Sequence, residues 1–461
     1  MAAPLNSRER LIVSSAPRSP WQPDSWQQKP AIQQPKYPDD DALKQALETL
    51  VASPPLVTSW EIQALREQLA AAERGEVFVL QGGDCAESFS DCSPSIITNR
   101  LKVLLQMSLV LVQGLQKPVL RVGRFAGQYA KPRSADMETR DGVSLPSYRG
   151  DVVNAPDFTE AARTPDPQRM LEAHTRSAMT MNFVRGLIDG GFADLHHPEY
   201  WNLDWVQHSP MEAEYRQLLA SIGRSVRFME SLAGGTLGDL NRVDFYTSHE
   251  ALLLYYEQAQ TRQVPRHSGW FNLSTHMPWI GVRTADPAGA HIEYCRGIEN
   301  PVGLKVGPNT PADELQANCR LLNPNNQAGR LVLIHRMGAD QVHERLPAQI
   351  KAVQATGIRH LWMADPMHGN TRTTASGIKT RDFDEVLAEI EAAVGIHQAL
   401  GSHLGGVHLE LTGEPVTECV GGARQLGEED LHRDYRTTVD PRLNYEQSLE
   451  LAMKLAALQQ A

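Results

Sequence analysis

A cysteine follows directly after a short apolar run in the sequence QGGDCAESF, at residues 81–89. Cys85 is therefore either a small packed side chain or a metal ligand. Other residues of ligand type follow further apolar runs: His368 in ADPMHGNT, Glu410 in HLELTGE and Asp440 in VDPRLN. A thiolate, an imidazole and two carboxylates together suit a divalent cation, and this mixture leaves manganese, cobalt, iron and zinc open.

A second group of residues is basic, although the chain carries a formal net charge of -11. Its members stand at or just after the ends of apolar runs: Arg124, Lys131, Arg133, Arg283, Lys305 and Arg336. Arginine binds carboxylate and phosphate with two parallel hydrogen bonds. The cluster is explained either by ion pairs with local acidic residues or by two phosphorylated substrates, and the second explanation accounts for more of its members.

Three further polar residues have two explanations each. His335 ends the apolar run before Arg336 and is either a general base or a histidine packed inside the fold. His249 and Glu250 follow the run at 243–247 and are either catalytic or the start of a helix.

The elements that must position these residues alternate between strands and helices. Eight short apolar runs are predicted as strands: 77–81, 118–122, 243–247, 270–275, 301–306, 330–335, 359–364 and 405–411. Helical patterns follow most of them, at 95–115, 249–263, 312–322, 340–355, 382–399 and 444–459. This alternation predicts a parallel sheet, and eight strands fit a (β/α)₈ TIM barrel. An open doubly wound sheet is the alternative, but no Gly-x-Gly-x-x-Gly follows an early strand.

In a closed barrel the first, seventh and eighth strands are consecutive neighbours. Cys85, His368 and Glu410 would then meet at the end where barrel enzymes carry their active sites. Asp440 lies in the loop beyond the eighth strand and can join them.

The predicted organisation is an N-terminal arm with two helices over residues 1–74, followed by a catalytic barrel over 75–461. The interval between the second and third strands is too long for one crossover. It predicts a helical insertion at about 150–242, with helices near 168–189 and 210–232. Trp21 and Trp26 indicate that the arm packs against its own barrel or another subunit.

Composition excludes several classes of protein. The acidic net charge argues against general binding to nucleic acid or anionic membranes. Five cysteines in 461 residues do not form a disulfide scaffold. No apolar run approaches the ~18 residues of a membrane-spanning helix, and the first 30 residues lack a signal-peptide pattern. We therefore expect a soluble cytoplasmic protein.

A series of motifs resembles type II, plant-like 3-deoxy-D-arabino-heptulosonate 7-phosphate (DAHP) synthases over essentially the whole chain. They are QGGDCAESF, AGQYAKPRSAD, SYRGD, STHMPWIG, NPVGLKVGPN, HRMG, DPMHGNT, LELTGEPVTECVGGA and DPRLNYEQSLELA. The resemblance implies a TIM barrel. It also implies condensation of phosphoenolpyruvate with erythrose 4-phosphate, with release of phosphate, as the first step of the shikimate pathway.

The resemblance also implies roles for individual residues. A divalent metal, commonly manganese or cobalt, maps onto Cys85, His368, Glu410 and Asp440. The phosphoenolpyruvate contacts map onto Arg124, Val282, Arg283, Lys305 and Arg336. Lys131 and Arg133 map onto the erythrose phosphate side, and His335 is a candidate proton carrier. Relatives form homo-oligomers and bind aromatic amino acids, which predicts a dimer or tetramer and allows a chorismate mutase partner.

One position departs from the family pattern. The family usually has W-x-G-E-R-T where this chain has WIGVRT, so that Val282 replaces a glutamate. Glu293 is a possible local substitute. The departure keeps two alternatives open: a specialised paralogue that uses an amino analogue of the sugar phosphate, and a catalytically weak regulatory paralogue.

Overall fold

The computed structural model describes residues 21–189, 204–209, 212–233 and 244–458. The first 20 residues of the predicted N-terminal arm and parts of the predicted insertion lie outside these ranges.

Eight parallel strands form one curled sheet, in the order β5-β2-β1-β14-β11-β10-β9-β8. Their bounds are β1 Phe78–Gly83, β2 Val119–Arg124, β5 Phe245–Thr247, β8 Trp279–Ile280, β9 Val302–Val306, β10 Leu331–His335, β11 Leu361–Ala364 and β14 Leu404–Glu410. The two outer strands, β5 and β8, approach each other just beyond β5, where Glu250 and Trp279 form a parallel bridge. The order makes β1, β14 and β11 neighbours, as the positions of the ligand-type residues require.

Six shorter strands form three antiparallel pairs outside this sheet. They are β3 Met137–Arg140 with β4 Val143–Pro146, β6 Thr261–Arg262 with β7 Phe271–Asn272, and β12 Thr371–Thr373 with β13 Lys379–Arg381.

Most helices begin and end close to the predicted positions. The helices are α1 Asp40–Ala52, α2 Ser59–Glu73, α3 Pro94–Leu115, α4 Glu160–Arg163, α5 Gln168–Asp189, α6 Glu212–Ala233, α7 Leu254–Ala259, α8 Ala290–Cys295, α9 Ala312–Leu322, α10 Val342–Gln354, α11 Phe383–Ala399 and α12 Tyr445–Leu458. Helix α7 is shorter than predicted, and the short helices α4 and α8 were not predicted. Capping explains some of these starts: Thr58 and Glu61 form a reciprocal capping box at α2. Helices α5 and α6 lie between β2 and β5, in the interval predicted to hold the insertion.

The predicted fourth strand is wrong. Within 270–275, Phe271–Asn272 pairs with β6 outside the main sheet, and Trp279–Ile280 takes the fourth position instead. The polar side chains of this segment hold it outside the main sheet. Asn272 and Ser274 both donate to the buried carboxylate of Glu257, at 2.6 and 2.9 Å. An apolar pattern cannot show that a segment is held by such side-chain hydrogen bonds.

The helix predicted at 249–263 is much shorter, since α7 begins at Leu254. Backbone pairing keeps the preceding residues extended. The Trp279 N–H donates to the His249 carbonyl at 3.0 Å, and the Ala251 N–H donates to the Trp279 carbonyl at 2.9 Å. Glu250 therefore lies on an extended segment and not in the first turn of a helix.

Helix α3 has the length and apolar composition of a membrane-spanning helix, which the sequence analysis did not foresee. It packs as a core helix, with 61% of its most apolar window buried. Its contact with α12 is so close that a Cβ at Gly114 would lie 2.1 Å from the Cβ of Ala456.

The described part of the N-terminal arm packs on its own chain, as the tryptophans indicated. Trp26 is buried and donates from Nε1 to Gln258 Oε1 at 2.9 Å. Trp21 donates from Nε1 to the Glu293 carbonyl at 2.8 Å.

Arg100 of α3 fixes the segment that follows β1. Its guanidinium, 3% exposed, pairs with Asp84, with Glu87 at 3.3 Å and with Asp91 at 2.9 Å. Cys85 lies between two of these carboxylates in sequence, so the position of its thiol depends on this buried arginine.

We predict that Arg100→Met destabilises the protein by about 3–5 kcal/mol, because it leaves buried carboxylates without their cation. Urea unfolding followed by far-UV circular dichroism measures the change. Arg176→Met, which removes an exposed pair with Glu172, is the matched control and leaves the unfolding midpoint unchanged. Equal midpoints for the two variants would contradict the role of Arg100.

Candidate active site and metal centre

A cavity of about 430 Å³ opens at the carboxyl ends of the sheet strands. It is lined by every predicted site residue except His335: Cys85, Arg124, Lys131, Arg133, Val282, Arg283, Lys305, Arg336, His368, Glu410 and Asp440. Its wall also contains Glu250, Trp279, Gly281 and Lys379. Residues far apart in sequence share this cavity because parallel strands bring their carboxyl ends to one edge.

The register of the central strands places the first ligands side by side. Gly83 pairs with Arg124 on one neighbour and with Glu410 on the other. Gly83 has a φ of +146°, and a Cβ there would lie 2.7 Å from the Arg124 carbonyl oxygen. A glycine is needed at this position so that the chain can turn toward Cys85 against its neighbour.

Three ligand-type side chains converge at this point. One donor atom from each of Cys85, Glu410 and Asp440 lies within 4.8 Å of the other two. His368 joins them, with Nε2 2.9 Å from Glu410 Oε1. The four predicted ligands are therefore brought together, although they span more than three hundred positions of the chain.

The donor set fits a divalent cation. Zinc-like metal–ligand bonds of about 2.0–2.3 Å place two donors on one ion roughly 3–4 Å apart, and Cys85 Sγ lies 3.8 Å from Asp440 Oδ2. Burial and the charge of Glu410 raise the pKa of the Cys85 thiol to about 12. Since a metal binds the thiolate, binding at this site must displace the thiol proton.

Basic side chains surround the acidic ligands. Glu410 Oε1 accepts from Arg124 at 2.9 Å, and Glu410 Oε2 forms an ion pair with Arg381 at 2.7 Å. Although burial alone would raise the pKa of Glu410, His368 and these two arginines hold it well below its usual range. Glu410 is therefore a carboxylate at neutral pH.

Asp440 is ionised for a similar reason. It accepts from Lys131 at 2.5 Å and from Lys379 at 2.8 Å. Burial opposes ionisation, but Lys131 lowers the pKa of Asp440 below its usual range. Lys131 Nζ also lies 2.8 Å from Cys85 Sγ. This ammonium therefore links the predicted metal ligands to the predicted sugar phosphate side.

Asp365 connects the metal ligands to the anion-binding side. Its buried carboxylate forms an ion pair with Lys305, and its Oδ2 lies 2.7 Å from His368 Nδ1. A carboxylate on the second ring nitrogen orients a metal-binding histidine and presents Nε2 to the ion. The carbonyl of His368 accepts from Arg336 at 2.6 Å. One loop thus supports both parts of the cavity.

The remaining basic residues give the cavity its capacity for anions. Arg124 lies over the Trp279 ring, 5.1 Å from its centroid, and contacts His408. Burial lowers the pKa of Lys305 to about 8, despite the attraction of Asp365. Arg283 is exposed to the cavity and donates to Ser134 Oγ at 3.0 Å. These side chains can bind a phosphate and a carboxylate together.

His335 does not reach the cavity. Strand side chains alternate between faces, and its ring packs near Trp362 and His397, 6.1 and 5.6 Å away between centroids. Neither ring nitrogen has a hydrogen-bond partner among the described residues. Burial lowers its pKa to about 3, so the ring is neutral. The structure gives His335 the packed role that the sequence analysis left open.

Other residues of the site were missed or left without a role. Lys379 and Arg381 lie on β13, a strand that the sequence analysis did not predict. Their spacing of two places both on one face of a strand, which is the signal that could have found them. Glu293 pairs with Arg296 at 2.7 Å and is not among the cavity-lining residues. It does not replace the carboxylate missing at Val282.

Comparison with known proteins finds relatives that match nearly the whole chain. A phospho-2-dehydro-3-deoxyheptonate aldolase of Streptomyces coelicolor is 48% identical over 447 residues, covering 97% of this chain and 99% of the relative. A protein of the same name from Neurospora crassa is 45% identical over 463 residues, covering 97% and 96%. The model of the class-II DAHP synthetase family matches residues 21–456. The chain belongs to the class-II DAHP synthetase family.

Proposed function

We propose that this protein condenses phosphoenolpyruvate with D-erythrose 4-phosphate to give DAHP and phosphate, the first step of the shikimate pathway. The observation that carries the proposal is one cavity that combines a cysteine, histidine and two-carboxylate cluster with a wall of basic side chains. Membership of the family supports the same reaction.

A divalent metal is the cofactor in this proposal, held by Cys85, His368, Glu410 and Asp440. When bound, it supplies a Lewis acid for the aldehyde oxygen of erythrose 4-phosphate. Manganese and cobalt are the expected metals, and the donor set also admits zinc and iron.

The basic residues bind and orient the substrates. Arg124, Arg283, Lys305 and Arg336 hold the phosphate and carboxylate of phosphoenolpyruvate, and Val282 contributes its backbone. Lys131 and Arg133 hold the phosphate of the aldehyde substrate. This arrangement presents C3 of phosphoenolpyruvate to the aldehyde carbon. Positioning of this kind lowers a barrier by several kcal/mol. Water then adds to C2, and loss of phosphate leaves the keto acid.

The wider organisation is proposed along the same lines. The eight-stranded sheet is a closed (β/α)₈ barrel over residues 75–461, preceded by an arm and helices over 1–74. The region at about 150–242 serves regulation and subunit contacts in a cytoplasmic homo-oligomer. A chorismate mutase is a candidate partner.

Phosphate release tests the reaction. Purified, metal-reconstituted protein with phosphoenolpyruvate and erythrose 4-phosphate is expected to release phosphate, and EDTA is expected to stop it. Turnover only with the amino analogue of the sugar phosphate would identify a specialised paralogue. Folded, metal-loaded protein without turnover on either acceptor would favour the regulatory alternative.

Removal of the thiol tests the metal site. We expect Cys85→Ala to weaken manganese binding by more than the roughly 10–100-fold that loss of an outer-shell partner costs. Equilibrium dialysis measures the affinity, and far-UV circular dichroism checks the fold. Cys92→Ala, which alters a half-buried thiol near Thr180, is the matched control. Unchanged manganese affinity in Cys85→Ala would refute the assignment.

Lys305 predicts how phosphoenolpyruvate binding depends on pH. Its pKa of about 8 means that the ammonium is charged below that pH and neutral above it. The dissociation constant for phosphoenolpyruvate should therefore rise above about pH 8, by up to tenfold per pH unit. Tryptophan fluorescence titration of the metal-loaded protein measures it. In Lys305→Met, binding is weak and this pH dependence is absent. A wild-type constant that is flat from about pH 7 to 9.5 would contradict the prediction.

A further inference from the structure

Glu250 is the acidic side chain of the cavity wall that lacks a cation partner within the described ranges. Its Oε1 is buried and has no hydrogen-bond partner there. The other acidic residues of the wall are paired: Glu138 with Arg163 at 2.8 Å, and Glu410 and Asp440 as described above. A buried carboxylate oxygen without a partner usually has one that enters from the solvent or the substrate.

The backbone holds this side chain in place. The Glu250 N–H donates to Gln128 Oε1 at 2.8 Å, and the residue forms the parallel bridge to Trp279. Its carboxylate lies against Gly281, where a Cβ would be 2.2 Å from Oε1. Any other residue at position 281 would displace the carboxylate. Glu250 is thus fixed beside the segment that carries Val282 and Arg283.

The charges that face Glu250 come from several elements. Burial raises its pKa, while Lys131, His368, Lys305 and Arg124 lower it, and the net direction is upward. A carboxylate with a raised pKa is a stronger base than an exposed one. These side chains include residues from both proposed substrate sites, since Lys305 and Arg124 belong to the phosphoenolpyruvate side and Lys131 to the sugar phosphate side.

Val282 gives the cavity no carboxylate at the position where the family usually has a glutamate. The valine is 37% exposed on the cavity wall and can neither accept nor donate a proton. We propose that Glu250 is the catalytic carboxylate that binds the water molecule attacking C2 of phosphoenolpyruvate and takes its proton. The inference rests on the proposed function and assigns to Glu250 the role that a glutamate at position 282 could fill.

The proposed reaction adds one water molecule to C2 of phosphoenolpyruvate. The electron pair of the C2–C3 double bond forms the bond to the aldehyde carbon, and the aldehyde oxygen takes a proton from the solvent. The water oxygen bonds to C2 while one of its protons moves to Glu250, which returns a proton to the solvent before the next cycle. The bond from C2 to the phosphate oxygen then breaks with its electron pair on phosphate, and the C2 hydroxyl gives its proton to the released phosphate to leave the ketone. One water molecule is consumed overall, with one proton added to the new hydroxyl and one to the phosphate.

Steady-state phosphate release by metal-loaded Glu250→Gln tests the proposal. We expect kcat to fall by about 100-fold or more, the loss typical of a missing general base. KM for each substrate should stay within about threefold of wild type, and manganese affinity should not change. Glu250→Asp keeps a carboxylate and should be faster than Glu250→Gln. Glu293→Gln, outside the cavity, is the matched control and should match wild type.

Two outcomes would overturn the proposal. One is a kcat for Glu250→Gln within about threefold of wild type. The other is a raised KM for erythrose 4-phosphate with unchanged kcat, which would make Glu250 a sugar-binding residue. Wild-type turnover is measured in the same experiment, so a failure of the proposed function is distinguished as an inactive wild type.

Discussion

Glu410 carries the interaction on which the rest of the site depends. Its buried carboxylate accepts from Arg124, forms an ion pair with Arg381 and lies against His368 Nε2. Removing Glu410 would leave two buried arginines without their shared carboxylate, which costs several kcal/mol. The anion-binding arginine and the metal-binding histidine are therefore held by one acidic residue at the end of one strand.

This sharing explains how an acidic chain maintains a cavity rich in cations. The carboxylates in and beside the predicted metal site have basic neighbours: Asp440 has Lys131 and Lys379, and Asp365 has Lys305 together with His368. The pairs lower the cost of burying like charges close together before substrates arrive. They also couple the two halves of the site, because a change in position of Lys131 or Asp365 alters a metal ligand and a substrate contact at once. Glu250 is the exception, since its Oε1 has no hydrogen-bond partner within the described ranges.

Much of this arrangement could be predicted from the sequence, because strand ends are marked by apolar runs and the order of the strands fixes which ends meet. Cys85, His368 and Glu410 were placed together on that basis. The motifs of the family added specific roles to the basic residues. The fourth strand was misplaced because Phe271–Asn272 is held by side-chain hydrogen bonds that an apolar pattern does not encode. For His335, composition could not decide which face of the strand it occupies. The pairing of Arg381 with Glu410 links β13 to β14, and only the folded chain shows that contact.

The proposed reaction requires the thiol, imidazole and carboxylate ligands to bind one divalent metal beside the bound phosphoenolpyruvate. Anomalous X-ray diffraction from crystals of the protein with manganese and phosphoenolpyruvate would locate both. We expect one strong anomalous peak within bonding distance of Cys85, His368, Glu410 and Asp440, with the phosphoenolpyruvate phosphate and carboxylate on the arginines of the same cavity. A peak elsewhere, or phosphoenolpyruvate bound away from these arginines, would contradict it.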